Sequence, residues 1–283
     1  LEKQYKRQNL QLVVPPQRPR LDIVIPSRSQ PDQAAFLKES IASIERQSLL
    51  GSIHARAIIC CDPDYDPSNI PQSSCLAIEV VESEQPLQAA ALNAGLVAVD
   101  AHFVAFLEDD DAWHPRFLET ALAAHQKLLD SGTTSSLISS NQLEVDSNGV
   151  IERVNDFATP SGWFMSIATL RNVGLFDPRY RLHLDNDWLG RAAAHKVPRI
   201  HLVEALAPMK VNHLSQVRPW LFKVLKNSNG TCRLARHSLL IPLVRRLVHP
   251  DSGMARISRD PQLAQESAAE CQRLVQTYGR IPW

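Results

Sequence analysis

No stretch of the 283-residue sequence approaches 18 consecutive apolar residues. A membrane-spanning helix is therefore not expected. Charge of one sign is not in excess, because 30 Lys and Arg balance 30 Asp and Glu. That balance leaves no overall basic footprint for nucleic acid. Cysteine is sparse and lacks a metal-binding or redox pattern. Cys60, Cys61, Cys75, Cys232 and Cys271 are odd in number and include no C-x-x-C pair. Cys60 and Cys61 sit in an apolar run, where Cys acts as a small hydrophobe. Reduced thiols and a cytoplasmic location are expected. Leu1-Glu2-Lys3-Gln4 leads into a polar, basic stretch instead of a signal-peptide pattern. Internal repeats and low-complexity tracts are absent from the sequence.

What is present is an alternation of short apolar runs and helical spacings. Leu21-Asp22-Ile23-Val24-Ile25-Pro26 reads as a buried parallel strand stopped by Pro. Ala57 to Cys61, Leu76 to Val81 and Phe103 to Leu107 repeat the pattern. Leu37, Ile41 and Ile44, then Leu87, Ala91, Ala94 and Ala98, mark helices between them. Such alternation argues for βαβ units around a mostly parallel sheet. Ligands of open α/β sheets bind at the carboxyl edge. Ser27-Arg28, the acidic turn Asp62 to Asp66 and the run Glu108 to Asp111 are expected to converge there.

Farther on, Pro115 suits a first helical position, with Phe117, Leu118, Ala121 and Leu122 on the apolar face that follows. Leu137 to Ser140 reads as a strand, and Val145 to Ile151 as a hairpin around Asn148-Gly149. Helices are expected near Met165 to Val173 and over Asp187 to Ala194, then a strand over Val197 to Val203. Beyond about Val217 the chain reads as helical, basic and amphipathic, with no strand signal. Three parts are therefore expected: an arm over 1–20, an α/β domain over 21–216 and a helical extension over 217–283. The extension could pack on the domain, meet an anionic membrane surface at its inner face or form a homodimer. Packing is the favoured reading.

The acidic run carries the chemistry. Four consecutive acids after a buried strand repel one another unless a cation or hydrogen-bond donors compensate. A hard divalent ion with oxygen ligands is one answer. A solvated loop stabilised by the dipole of the next helix is the other.

Five motifs in order resolve that choice. They are Ile25-Pro26-Ser27-Arg28, the acidic loop at Asp62, Leu92-Asn93-Ala94-Gly95, Phe106-Leu107-Glu108-Asp109-Asp110-Asp111 with Trp113 and Pro115, and Gly174-Leu175-Phe176-Asp177 followed by Asp185-Asn186-Asp187-Trp188-Leu189-Gly190-Arg191. Over about residues 21–215 the chain resembles the family 2 glycosyltransferases of the GT-A fold. Leu92 stands where the family carries Arg, Glu108 where it carries Asp, and Leu184 where it carries Glu.

The resemblance implies an inverting, hexosyltransferase-type enzyme using a nucleotide-diphosphate sugar, UDP-linked, and a hydroxyl acceptor. It implies nucleotide contacts from Pro26, Ser27, Arg28, Asp62, Asn93, Glu108 and Asp109. Asp110 is implied as a ligand of Mn²⁺ or Mg²⁺, with His213 as a histidine ligand. Asp185 is implied as general base, since the attacking hydroxyl must lose a proton, with Asp187 as the alternative. Gly162, Trp163 and Asp111 are implied on the acceptor side, and His183 lies near the base. Two other readings stay open. A nucleotidyltransferase would usually carry a Gly-rich loop after its first strand, and Pro26 to Pro31 has no Gly. A degenerate member would bind a nucleotide or a partner without catalysis.

Overall fold

The computed structural model of the chain describes residues 18–202, 232–233, 242–250 and 252–283, the pair 232–233 by its backbone alone. Its elements are β1 (Arg20–Ser27), α1 (Ala34–Glu45), β2 (His54–Cys61), β3 (Ala77–Glu82), α2 (Gln88–Ala98), β4 (Phe103–Phe106), β5 (Ala112–Trp113), α3 (Phe117–Asp130), β6 (Leu137–Ser140), β7 (Gln142–Asp146), β8 (Ile151–Asn155), β9 (Phe164–Ser166), α4 (Ile167–Val173), α5 (Leu184–Ala194), β10 (Arg199–Leu202), β11 (Cys232–Arg233), β12 (Val244–Val248), α6 (Gly253–Arg259) and α7 (Pro261–Tyr278). The large sheet has the order β11-β10-β6-β9-β4-β1-β2-β3. Neighbouring strands run parallel except β9, which is antiparallel to both β4 and β6. This is the mostly parallel α/β sheet that the apolar runs predict.

Both faces of that sheet are covered, which explains why its central strands read as continuous apolar runs. Leu21, Ile23 and Ile25 pack with Leu37 and Ile41 of α1 and Phe117 of α3. Val24, Ile58 and Phe106 pack on the other face with Leu92 of α2, Trp188 of α5 and Leu274 of α7. At the amino edge, the buried Asp22 carboxylate accepts from Arg56 Nε at 3.0 Å and Nη2 at 2.8 Å. It also accepts from the Asp100 and Ala101 amides, so β1, β2 and the turn before β4 share one anchor.

A second sheet, β5-β12-β7-β8, lies beside the first. The β7–β8 hairpin turns at Asn148-Gly149 as its residues predict, with Gly149 at φ 78°. The same sheet corrects the expectation of a strand-free chain beyond Val217. Val244 to Val248 pairs in parallel with β7 and antiparallel with β5. Its Arg245-Arg246 pair looked like one face of a basic helix, but Val244 is buried and carries the strand into the sheet. The helix read near Met165 starts only at Ile167, because Phe164 to Ser166 bridges β4 and β6. Pro115 does not open α3, which begins at Phe117; its carbonyl instead accepts from the Ser48 amide. Helix α5 begins three residues earlier than read, at Leu184, so it includes Asp185. Of the extension over 217–283, offered for packing, a membrane surface or a homodimer, residues 217–231, 234–241 and 251 lie outside the described residues. Among the described residues no helix is long and apolar enough to cross a membrane.

Helix α2 crosses the sheet at Gly95, where an added Cβ would overlap Cys60 Sγ and lie 3.0 Å from Val24 Cγ1. Overpacking of this kind costs about 1–3 kcal/mol. Gly95→Ala is expected to lower the melting temperature by several degrees. Adding Cys60→Ala should recover part of the loss, because it removes the overlapped sulfur. Additive losses in thermal melts of the single and double variants would count against this packing.

Candidate functional site

The acidic run follows β4 at the carboxyl edge of the sheet, and polar partners from five directions hold it. Ser27 Oγ, at the end of β1, donates to Asp109 Oδ2 at 2.6 Å and accepts from the Ser29 amide. Ser40 Oγ of α1 lies 3.0 Å from the Glu108 carbonyl and 2.5 Å from the Asp111 carbonyl. The Glu108 amide donates to Ser161 Oγ at 3.1 Å, in the single turn Pro160–Gly162. Gln88 Nε2, at the start of α2, donates to Glu108 Oε1 at 2.9 Å.

The fifth direction is β12. The Leu247 amide donates to Asp111 Oδ1 at 3.3 Å, and His249 Nε2 lies 3.0 Å from Asp110 Oδ2. Arg246 Nη1 donates to Glu144 Oε1 at 3.3 Å. Burial would lower the Arg246 pKa, but attraction by Glu108, Asp111, Glu144 and Asp110 raises it. Arg246 is thus a permanent positive charge among the acids.

The carboxyl groups remain strained electrostatically. Burial, and then repulsion from Asp110, push Glu108 up to about 7 and Asp109 up to about 7. The same two causes hold Asp111 well above the ordinary range. One oxygen each from Glu108, Asp110 and Asp111 lies within 4.8 Å of the others. Asp111 Oδ2 is buried with no hydrogen-bond partner. A set of hard oxygens, one of them orphaned, fits a divalent cation.

The implied site residues do not all meet here. Ser27, Asp109, Asp110 and Glu108 do. The Asp62 amide donates to the Ser27 carbonyl at 3.3 Å, so Asp62 begins its loop beside the run. Burial raises its pKa, opposed by the exposed Arg28. Pro26 is buried in β1 and contributes packing. Asp111, implied on the acceptor side, is only 2% exposed and turns into the acidic cluster. Asn93 is spent elsewhere: its Nδ2 donates to the Phe176 carbonyl and its Oδ1 accepts from the Phe176 amide, tying α2 to the loop before α5. Trp163 is fully buried against Phe106, Phe176 and Trp188, and its Nε1 donates to the Ala158 carbonyl. It offers no ring face to a sugar. Gly162 is likewise buried, since a Cβ there would lie 2.8 Å from Ser140 Oγ.

The two candidate bases separate clearly. Asp187 is 3% exposed, with Oδ2 2.9 Å from Arg191 Nε and Oδ1 accepting from Tyr278 Oη at 2.8 Å. Both its oxygens are engaged, Oδ2 within α5 and Oδ1 with Tyr278 of α7. Asp185 is half-buried in the first turn of α5 and accepts the Asn186 amide at 2.9 Å. Burial raises its pKa, and its charge is felt at Glu108. His183 contacts Ser267 Oγ at 2.8 Å and Asn186 Oδ1 at 3.1 Å, so it belongs to the same support. His213 lies outside the described residues. His249 and Arg246, which local patterning did not single out, stand against the acids instead.

The description "Glycosyl transferase family 2" matches residues 22–171, just over half of the chain. No curated protein is similar enough in sequence to be counted as a relative. Solved structures that are similar in shape include Staphylococcus aureus TarS 1–349 in complex with UDP. It is 14% identical, the match covers 91% of this chain and 70% of that one, and the TM-score is 0.49. Another is the mannosyltransferase PcManGT from Pyrobaculum calidifontis in complex with GDP-Man and Mn²⁺, at 17% identity, 63% and 53% coverage and a TM-score of 0.47. In its first match to TarS 1–349 the chain spans 55% of that fragment.

The raised carboxyl groups set a pH window. Glu108 and Asp109 ionise near pH 7 in the folded chain and near pH 4 when unfolded. Between these values the folded state holds more protons, so this site's contribution to stability falls as pH rises. A divalent cation held by the same carboxylates would replace the missing protons. Mn²⁺ is therefore expected to raise the melting temperature by more at pH 8 than at pH 5.5. An equal Mn²⁺ effect at both pH values in thermal melts would contradict this origin.

Proposed function

Because the chain belongs to glycosyl transferase family 2, we propose that it moves a sugar from a nucleotide-diphosphate donor, UDP-linked, to a hydroxyl acceptor with inversion. The observation that carries the reading is the juxtaposition of an oxygen-rich cluster with a half-buried carboxyl group. Glu108, Asp110 and Asp111 would hold a divalent cation, Mn²⁺ or Mg²⁺, and His249 would assist through Asp110. Bound there, the cation would offset charge on the leaving diphosphate. Ser27, Arg28, Asp62 and Asp109 would take the nucleotide at the carboxyl edge. Asp185 would accept the proton of the attacking hydroxyl, because its raised pKa marks a carboxylate poorly compensated by its surroundings. Asp187 is left out of this role by its two engaged oxygens. The proposed unit spans 21–216 together with β12, while α7 supports the base from behind.

Arg246 favours one further reading, a nucleotide-binding member without catalysis. A fixed guanidinium among the acids can meet a diphosphate without metal. Calorimetry of UDP and GDP, each with and without Mn²⁺, separates the two. The transferase reading expects UDP binding that strengthens at least tenfold with Mn²⁺ and weakens in Asp110→Asn. Metal-independent binding would favour the second reading. In a transfer assay Asp185→Asn is expected to lower kcat by roughly 10²–10⁴-fold, with nucleotide binding unchanged. Full activity in that variant would exclude Asp185 as the base.

A further inference from the structure

Among the described residues, Ser29, Asp64 and Lys196 hold positive φ without being glycine, and Ser29, at φ 51°, lies within the candidate site. A left-handed conformation is disfavoured for a residue with a Cβ, and Asn or Asp tolerates it better than Ser. A residue held there persists only where its surroundings fix it. Ser29 is fixed on both sides. Its amide donates to Ser27 Oγ at 3.0 Å, and that hydroxyl donates in turn to Asp109. Its carbonyl accepts from Asn69 Nδ2 at 2.9 Å. The residue is 3% exposed, so water competes poorly for these bonds.

Asn69 reaches Ser29 from the other loop of the site. It closes the single turn Pro67–Asn69, at the end of the acidic loop that begins at Asp62. Asp66 caps that turn: its Oδ1 accepts the Ser68 amide at 2.8 Å and its carbonyl accepts the Asn69 amide at 3.1 Å. The loops after β1 and β2 are therefore joined at Ser27, through the Asp62 amide, and at Ser29, through the Asn69 side chain. Between those two points stands Arg28, exposed, whose guanidinium attracts both Asp62 and Asp109. A change of φ at residue 29 swings the peptide that joins it to Arg28.

We propose that Asn69 is a positioning residue for the nucleotide: by holding the Ser29 carbonyl it keeps Ser29 left-handed and Arg28 turned towards Asp62 and Asp109. This rests on the nucleotide-binding part of the reading above and adds the group that sets Arg28. Without the Asn69 amide, Ser29 relaxes towards negative φ, which residues with a Cβ prefer. The fraction of chains with Arg28 in place then falls, and the apparent affinity falls with it. Glycine at position 29 removes the preference, because it takes positive φ as readily as negative. The loss of Asn69 should therefore matter with Ser at position 29 and matter little with Gly. A residue that touched the nucleotide directly would be missed equally in both backgrounds.

The test is calorimetry on the full chain with Mn²⁺ and UDP or GDP, whichever the wild type binds more tightly. Ser29→Gly, Asn69→Ala and the double variant are compared with it. Asn69→Ala is expected to weaken binding about three- to tenfold, the scale set by the left-handed preference. Ser29→Gly should bind within about twofold of wild type, and the double variant within about threefold. Recovery in the double variant also shows that Asn69→Ala does not act by unfolding the loop. Wild-type affinity in Asn69→Ala, or a double variant as weak as Asn69→Ala, would overturn the proposal and leave the nucleotide reading standing. A wild type that binds neither nucleotide would overturn both.

Discussion

Four carboxyl groups on one turn repel one another, and most of the surrounding architecture can be understood as the means of holding them. A buried charge without compensation is costly enough to shift its own pKa or to unfold its loop. Here the compensation is distributed. Hydroxyls of Ser27, Ser40 and Ser161 fix the turn, Gln88 meets Glu108, and Arg246 places one positive charge nearby. The compensation stays incomplete, as the raised Glu108, Asp109 and Asp111 show. A site left short of positive charge is one prepared to take a cation.

The two sheets divide the task. The large sheet sets the position of the turn, because β1, β4 and the middle of α1 meet there. The small sheet supplies what the turn lacks, through the amide of Leu247 and the side chains of Arg246 and His249 on β12. The second carboxyl centre has a separate support. Glu270, Tyr278 and the Pro282 carbonyl fasten the start of α5, and with it Asp185, from the outer side. The acidic cluster and the candidate base are therefore built on different elements, which lets each be held without sharing a loop.

Much of this was readable from local pattern. The runs at Ile23 to Ile25, Ile58 to Cys61 and Val104 to Phe106 announced fully buried strands, and the structure buries them on both faces. The Asn148-Gly149 turn was readable because only a residue free to adopt positive φ closes such a hairpin. Readings failed where a short segment had no periodicity to spare. Phe164 to Ser166 is three residues long and is a strand only because β4 and β6 flank it. Trp163 illustrates a second kind of failure. An indole beside a candidate site can line a pocket or fill a core, and its identity is the same in both cases.

The order of the chain by itself determined the α/β class and the place of the acidic run after β4, which follow from short-range spacing that a window of a few residues contains. The candidacy of Asp110 and Asp185 is what the family resemblance implies, carried by motifs spread over the chain. Only the tertiary structure decided which acids act alike. It joined Asp111 to Glu108 and Asp110, withdrew Asp187 into an ion pair with Arg191, and buried Trp163. It also set His249 against Asp110 across 139 residues, a pairing fixed by the register of β12 on β7. No local window spans that distance, because strand register is settled by partners and not by neighbours in the chain.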